Sequence, residues 1–283
     1  MLNPTIITII SKVARFGGLR YGRPMITNEL NQLTHFGFKT VRTDEKPNLI
    51  RAIFDDIAVR YDLMNDLMSA GIHRLWKAAM IDWLGPRMPG RYLDVAGGTG
   101  DIAFRILDRL NSSRLATTND AHVTVVDTSE SMLRQGRDRA LDIGILNQID
   151  WLQGDAECLP IEEQSIDVYS IAFGIRNFTH IDRALSEARR VLKPGGRFLC
   201  LEFSHVVDPL LSAQYEAYSF KALPTLGEIV TGNRDAYQYL AESIRRFPDQ
   251  KAFADMIGAA GLEQIKVRNL SGGIAALHSA WRI

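Results

Sequence analysis

The sequence predicts a doubly wound α/β domain, and three neighbouring features indicate this fold class. Residues 92–96 form a short apolar run with the length of a buried strand. Residues 97–100 read Gly-Gly-Thr-Gly and predict a tight turn, because glycine adopts positive φ angles at little cost. Asp101 then precedes apolar positions at helical spacing over residues 102–110. A strand, a glycine turn and a helix in this order are typical of the nucleotide-binding unit of such a domain.

Two carboxylates beside the glycine turn indicate which ligand it holds. Asp94 lies in the predicted strand, and Asp101 begins the helix. Their negative charges would repel the pyrophosphate of a dinucleotide, which binds at a helix N-terminus. They suit the ammonium and sulfonium groups of S-adenosylmethionine, which Gly98 and Gly100 would allow to approach the backbone. A P-loop is excluded because its Gly-Lys-Ser/Thr sequence is absent, whereas a dinucleotide cofactor stays as the alternative.

The composition of the 283 residues narrows the function classes. Lysine plus arginine and aspartate plus glutamate number 33 each, so the net charge of zero creates no field that attracts nucleic acid. Cys158 and Cys200 are the only cysteines, too few for a disulfide framework or a structural zinc site, and they fit a reducing compartment. The scattered histidines indicate no metal site. No apolar run has the roughly 18 residues of a membrane-spanning helix.

Residues 1–34 are basic and amphipathic, and their first acidic residue is Glu29. Apolar residues between positions 6 and 16 would line one side of a helix. Such a segment is typical of a mitochondrial transit peptide, although serine is scarce here. We expect a transit peptide, with a disordered tail as the alternative. The basic residues that precede Glu29 are Lys12, Arg15, Arg20 and Arg23.

A helical arm is predicted over residues 47–84, before the first strand. Residues 48–61 have apolar positions at the i, i+3, i+4 spacing of a core-facing helix, and residues 64–83 continue apolar. The arm would cover the mouth of the site, with plain packing on the sheet as the alternative. Packing alone does not explain a polar cluster, which comprises Tyr61, Asp62, Asn65 and Asp66.

The second strand of the predicted sheet, residues 123–126, ends in Asp127. An acidic residue at this strand end is placed to accept hydrogen bonds from both ribose hydroxyls of a nucleotide. The alternative is that Asp127 caps the next helix, predicted over residues 129–140, together with Ser129.

Two further strands deliver polar residues to the same edge. The third, residues 149–153, is followed by Asp155, which with backbone groups could read an adenine edge. The fourth, residues 166–173, leads to Arg176 and Asn177 in the crevice where such sheets bind ligands.

The remaining chain completes the sheet and inserts a lid. Residues 204–247 interrupt the alternation, and their aromatic and leucine residues predict a largely helical lid. Two final strands joined by Ser-Gly-Gly predict a hairpin. The result is an α/β Rossmann-like sheet of seven strands with the last strand antiparallel, as in a methyltransferase. The other elements are helices over residues 181–191 and 248–260 and strands over residues 197–203, 264–270 and 274–281.

Eight short motifs in the chain match one enzyme family. Residues 93–101 (LDVAGGTGD) are similar to the first motif of class I methyltransferases, with Ala96 where a glycine is common. The others lie at residues 35–38 (HFGF), 61–66 (YDLMND), 71–74 (GIHR), 173–177 (FGIRN), 190–196 (RVLKPGG), 243–248 (SIRRFP) and 272–278 (GGIAALH). Together they resemble the ubiquinone/menaquinone biosynthesis C-methyltransferase family from about residue 34 onward. The basic leader and the IAFGIRN sequence resemble its mitochondrial branch.

The resemblance implies C-methylation of 2-methoxy-6-polyprenyl-1,4-benzoquinol by S-adenosylmethionine in ubiquinone synthesis, carried out by a domain over residues 35–283. It also implies a homodimer within a larger quinone-synthesis complex, bound peripherally to the matrix face of the mitochondrial inner membrane. Family cofactor positions fall on Thr99, Asp127, Asp155 and Ala156, and one that is often serine falls on Ala172. Family substrate residues fall on Tyr61, Arg176 and Asn177.

The implied chemistry requires a phenolate, since a neutral quinol is a poor carbon nucleophile. Lowering the phenol pKa from about 10 by about three units requires roughly 4 kcal/mol. One cation about 4 Å away supplies that much at an effective dielectric constant of about 20. We expect Arg176 to stay charged and stabilise the phenolate, because a guanidinium does not lose its proton in proteins. Asn177 would orient the ring oxygen, and Tyr61 or water would relay the proton.

Three other functions stay as alternatives on this fold. An oxidoreductase is disfavoured by Asp94 and Asp101, and measured nicotinamide binding would support it. An RNA methyltransferase is disfavoured by the neutral charge. An inactive scaffold would be expected to lose Asp127, Arg176 or the glycine turn, all of which are present.

Overall fold

The computed structural model describes residues 32–57, 66, 69, 71–87, 90–112, 121–207, 215, 218 and 234–283. The predicted transit peptide lies almost entirely outside these residues, as do Tyr61 and most of the predicted lid. In chain order the elements are β1 (Leu33–Phe36), β2 (Lys39–Arg42), α1 (Lys46–Ile57), α2 (His73–Leu84), β3 (Gly90–Val95), α3 (Asp101–Asn111), β4 (Ala121–Asp127), α4 (Glu130–Asp142), β5 (Ile149–Gln153), β6 (Ile166–Ala172), α5 (Ile181–Val191), β7 (Leu192–Phe203), α6 (Arg234–Arg246), α7 (Gln250–Ala259), β8 (Glu263–Leu270) and β9 (Ala275–Trp281).

A seven-stranded sheet forms the centre of the fold, in the order β5-β4-β3-β6-β7-β9-β8. The strands β3 to β7 pair in parallel, while β9 runs antiparallel to both β7 and β8. The predicted sheet with an antiparallel last strand is therefore confirmed. The order reverses between β3 and β6, and ligands bind at such a switch point, beyond the carboxyl ends of the strands.

Two hydrophobic cores lie on opposite faces of the sheet. Successive residues of a strand point to opposite faces, so Tyr92 of β3 belongs to one core and Leu93 to the other. The first core packs side chains of α2, α3, α4 and α6 against the sheet, and the second packs those of α5 and α7. This three-layer arrangement holds the strand ends rigidly beneath the site.

An N-terminal hairpin of β1 and β2 is a feature that the sequence did not predict. Gly37 turns the chain at a φ of +59°, and the hairpin attaches to α6. The ring of Phe36 stacks on Tyr239 with 4.4 Å between centroids, and the Phe38 amide donates to Glu242 Oε2 at 2.8 Å. Four-residue strands with mixed polarity have no clear period, which is why the hairpin was missed.

The predicted element boundaries hold closely where an apolar period is strong. The third strand and the helix over residues 181–191 have the predicted bounds. β7 begins at Leu192 rather than at 197, because Leu192 already pairs with Ile166 of β6, and the register then shifts across the Lys-Pro-Gly-Gly segment, where Gly195 has a φ of +79°. Of the predicted arm, the described parts are α1, α2, Asp66, Ser69 and residues 71–72. In the described ranges, no helix combines the length and apolar character needed to cross a bilayer.

Candidate active site

A cavity that opens to solvent lies beyond the carboxyl ends of β3, β4 and β6. The first turns of α1 border it through Pro47, Ile50 and Arg51. The Lys46 ammonium beside them donates to the Phe178 carbonyl at 2.8 Å, and burial lowers the pKa of Lys46 to about 8. Predicted site residues that border this cavity are Gly98, Asp127, Asp155, Ala156 and Asn177.

The glycine turn between β3 and α3 forms one wall of the cavity. Gly98 and Gly100 have φ angles of +54° and +80°, as the predicted turn requires. A side chain at Gly97 would approach Asp94 Oδ2 to 2.8 Å, so only glycine leaves this carboxylate uncovered. Ala96 also has a positive φ, +50°, which gives a physical reason why glycine is common at this position. The turn therefore brings backbone close to any ligand in the cavity.

Asp127 at the end of β4 bridges the glycine turn and the next helix. Its Oδ2 accepts from the Gly98 amide at 2.9 Å, and its Oδ1 accepts from the Ser129 amide at 2.9 Å. Ser129 is the N-cap of α4 and accepts from the Met132 amide. Asp127 therefore orders both the glycine turn and the start of α4, and its side chain borders the cavity, while the ribose contact stays a prediction.

Asp155 and Glu157 organise the loop after β5. Asp155 Oδ1 accepts from the Glu157 amide at 2.9 Å. Glu157 Oε1 in turn accepts from the amides of Thr179 and His180, at 2.8 and 2.9 Å. Burial raises the pKa of Glu157. The loop beside buried Ala156 is thereby tied to the loop after β6, a role of Glu157 that the sequence did not suggest.

A second, smaller cavity also borders the glycine turn. Asp94 is fully buried there; Ser170 Oγ donates to its Oδ1 at 3.0 Å, while no described residue donates to its Oδ2. Burial raises the pKa of Asp94 to about 7. Burial would also raise the pKa of Asp101, but two cations, Lys77 and Arg105, outweigh it and lower that pKa. The lining residues are Lys77, Asp94, Ala96, Gly97, Gly98, Thr99, Asp101, Ile102 and Ala172.

Arg176 lies behind the large cavity and is paired with Glu202. Its Nη1 donates to Glu202 Oε1 at 2.7 Å and to the Phe173 carbonyl at 2.6 Å. Burial raises the pKa of the Glu202 carboxyl above its usual value, although the Arg176 guanidinium opposes that rise. No described residue accepts from Arg176 Nε. The prediction treated Arg176 as a lone cation, whereas the structure compensates its charge.

Asn177 borders the cavity and is oriented by a residue of α6. The Tyr239 hydroxyl donates to Asn177 Oδ1 at 2.9 Å. Burial raises the pKa of Tyr239 well above its usual range, so the hydroxyl keeps its proton and acts as the donor. The amide nitrogen of Asn177 is thereby left as the donor for another group. Sequence reasoning counted Tyr239 only among the aromatic residues of the lid.

The described residues fit S-adenosylmethionine. The small cavity offers an uncovered carboxylate oxygen of Asp94 to an ammonium, and the glycine turn leaves room that a Cβ would fill. Asp127 stands at the strand end where ribose hydroxyls bind in this fold class. The site thus matches a ligand with a cationic amino-acid end and a nucleoside end.

A family model decides the identification. The model described as the ubiE/COQ5 methyltransferase family matches residues 39–282. The chain belongs to this family. It is a methyltransferase, and S-adenosylmethionine as its cofactor is confirmed. The predicted resemblance to the C-methyltransferase family is likewise confirmed, and its mitochondrial branch stays a prediction.

Relatives named as ubiquinone/menaquinone biosynthesis C-methyltransferase UbiE are similar over nearly the whole chain. The one from Dinoroseobacter shibae is 53% identical over 258 residues, which cover 91% of this chain and 100% of the relative. The one from Brucella abortus is 55% identical over 250 residues, which cover 88% of this chain and 90% of the relative. Both sources are bacterial.

Solved structures share the fold at low sequence identity. A possible histamine N-methyltransferase from Thermotoga maritima superposes with a TM-score of 0.59 at 20% identity, covering 83% of this chain and 100% of that chain. The [4+2]-cyclase SpnF also gives a TM-score of 0.59, at 17% identity, covering 82% of this chain and 94% of that chain. Proteins with such different names share one fold, so the fold alone does not identify the reaction.

Proposed function

We propose that the protein methylates a ring carbon of 2-methoxy-6-polyprenyl-1,4-benzoquinol in ubiquinone biosynthesis. The family match over residues 39–282 carries this proposal. Of the residues that the family resemblance assigns to the substrate, Asn177 borders the cavity, and Arg176 precedes it in the chain. The third such residue, Tyr61, lies outside the described residues. A polyprenyl benzoquinol is the substrate in this proposal.

The chain's own residues would bind S-adenosylmethionine along the glycine turn. Its sulfonium supplies the methyl group. Asp127 would accept from the ribose hydroxyls, since its carboxylate already faces the cavity. Asp155 and Ala156 also border the cavity and are proposed to contact the adenine. At the methionine end the proposed contacts are Asp94, Gly98, Thr99, Gly100 and Ala172.

The Arg176–Glu202 pair changes how the quinol would be activated. A lone cation near the ring oxygen supplies about 4 kcal/mol at an effective dielectric constant of about 20, but a paired anion opposes it. We therefore propose that Arg176 acts through hydrogen bonding, with the Glu202 carboxylate holding the guanidinium in place. Asn177 would donate to the ring oxygen, because Tyr239 occupies its carbonyl side. Tyr61 or water would receive the proton.

The predicted lid is proposed to bind the prenyl tail. Residues 204–247 are rich in aromatic and leucine side chains, and burying an apolar chain is worth about 0.8 kcal/mol per methylene. Affinity should rise with tail length until the groove is full. If affinity is the same for short and long tails, these aromatic residues serve only to pack the fold.

We also propose a mitochondrial location for the protein. The basic, acid-poor character of residues 1–34 supports import, followed by peripheral binding to the matrix side of the inner membrane. Homodimer formation and membership of a quinone-biosynthesis complex are proposed from the family resemblance. A fusion of residues 1–34 to a fluorescent protein tests the location, and a uniformly cytosolic signal would contradict import.

An assay with labelled S-adenosylmethionine tests the reaction. The full chain is incubated with short-chain demethylated benzoquinols that are kept reduced, and mass spectrometry locates the added methyl group. We expect label on a ring carbon of the reduced substrate and none on the oxidised quinone, because only the quinol ionises to a phenolate. Label on oxygen, or no transfer to any quinol, would overturn the proposal.

A further inference from the structure

Lys77 is a cation placed among the acidic residues of the small cavity. It belongs to α2, which precedes the first strand of the central sheet, yet its ammonium donates to Asp101 Oδ2 at 2.8 Å. The side chain is 6% exposed. An ammonium loses much of its hydration in such a place, so a buried lysine requires compensating partners. Asp101 supplies one, at the start of α3.

Asp101 has a second cationic partner besides Lys77. Arg105 is one turn further along α3, and its Nε donates to Asp101 Oδ1 at 3.1 Å. Arg105 does not border the small cavity, whereas Lys77 does. An ammonium has three N–H donors, and Asp101 uses one of them. Lys77 therefore has donors beyond the one that Asp101 uses, and its side chain borders the cavity.

The charged groups around this cavity match the two charged groups of an amino acid, its α-ammonium and its α-carboxylate. Asp94 offers a buried carboxylate oxygen to which no described residue donates, suited to an α-ammonium. Lys77 offers a buried ammonium, suited to an α-carboxylate. The two side chains reach the cavity from different elements, β3 and α2, so they can bind two groups of one ligand.

We propose that Lys77 binds the α-carboxylate of the methionine end of S-adenosylmethionine, while Asp94 binds its ammonium. The inference rests on the proposed function and adds a specificity residue to it. Through Lys77, the helical arm selects a nucleoside that carries an intact amino acid. Thr99 and the glycine turn also border the small cavity, where their backbone would approach the same ligand.

The test compares two ligands by calorimetry on the full chain. S-adenosylhomocysteine carries the α-carboxylate, and its decarboxylated analogue lacks only that group. The wild-type protein should bind S-adenosylhomocysteine at least about tenfold more tightly than the decarboxylated analogue, as expected for a charge-assisted hydrogen bond. Lys77→Met should reduce the ratio of the two affinities to near one, because it weakens the binding of S-adenosylhomocysteine alone. Lys77→Arg, which keeps the charge, should retain part of the ratio.

Arg105→Met is the matched control, because it removes the other cation that contacts Asp101. It should leave the ligand ratio at the wild-type value. A ratio that persists in Lys77→Met, or one that falls equally in Arg105→Met, would overturn the inference. Lys77→Gln gives the same readout if the methionine variant does not fold. A wild-type protein that binds neither ligand would instead overturn the proposed function.

Discussion

The guanidinium of Arg176 and the carboxylate of Glu202 form a buried ion pair, with 2.7 Å between Nη1 and Oε1 and each side chain 1% exposed. Glu202 is the next-to-last residue of β7, and Arg176 follows the neighbouring strand β6, so the sheet itself brings them together. Arg176 also immediately precedes Asn177, which borders the cavity. The pair therefore bears on stability and, under the proposed function, also holds the guanidinium that would activate the substrate.

Glu202→Gln should lower the free energy of unfolding by about 3–5 kcal/mol, because it leaves the Arg176 charge buried without compensation. Replacing both residues by leucine should recover much of that loss. Denaturant unfolding measures both variants. Asp255→Asn is the matched control: it breaks an ion pair with Lys251 whose side chains are 84% and 67% exposed, and it should cost less than about 1 kcal/mol. Equal losses in the two single variants would contradict a special role for the buried pair.

Arg176 variants should separate methyl transfer from cofactor binding. Arg176→Ala should lose the chemical step while it still binds S-adenosylmethionine, with partial recovery at high pH as the quinol ionises unaided. Arg176→Lys keeps the charge but loses the planar arrangement of donors, so it should retain some activity. Single-turnover rates against pH, with the quinol held anaerobic, measure both. An inactive lysine variant together with no alkaline recovery in the alanine variant would argue against stabilisation of the phenolate.

Tyr239→Phe should leave the cavity intact but release the side-chain amide of Asn177. Losing one hydrogen bond of about 0.5–1.5 kcal/mol should slow methyl transfer by a factor of roughly 2–13, with cofactor affinity unchanged. The double variant with Asn177→Ala should be no slower than Asn177→Ala alone, since the tyrosine acts through the asparagine. Additive effects in single-turnover rates would show that Tyr239 acts independently.

The sequence predicted those site residues that a strand end presents, and it missed those that depend on packing between distant elements. Asp127 was predicted because it follows a parallel strand, whose carboxyl end borders the ligand crevice. Glu202 lies between Leu201 and Phe203 in an apolar strand, and nothing local indicates that Arg176 will meet it. Lys77 reaches Asp101 only because α2 packs beside α3. A charged residue inside an otherwise apolar strand is the one signal that could have identified Glu202.

Asp127→Ala should weaken the binding of S-adenosylmethionine by about 1.5–3 kcal/mol, which is the contribution of hydrogen bonds to a charged group. The variant also removes acceptors for the Gly98 and Ser129 amides, so affinity alone does not isolate the ribose contact. A 2′-deoxy analogue of S-adenosylhomocysteine isolates it. The wild-type protein should prefer the ribose ligand, and the variant should bind both equally in calorimetry. A variant that keeps the preference would limit Asp127 to ordering the turn.

Asp94 should make the ligand-free protein less stable as the pH rises. Burial raises its pKa in the folded state to about 7, whereas an unfolded aspartate has a pKa of about 3.9. Between these values the folded protein holds a proton that the unfolded chain has lost, so the free energy of unfolding falls with pH. The fall is about 1.4 kcal/mol per pH unit and roughly 4 kcal/mol in total.

Asp94→Asn removes this titration and isolates its contribution. Urea unfolding of both proteins between pH 5 and pH 8 should show the wild-type protein losing roughly 2–3 kcal/mol relative to the variant by pH 7, and little more above it. Saturation with S-adenosylhomocysteine should reduce the pH dependence of this stability difference, because a cation beside Asp94 lowers the pKa of the carboxyl. Parallel stability curves for the two ligand-free proteins would mean that Asp94 is ionised throughout this range, and the small cavity would then hold a permanent negative charge.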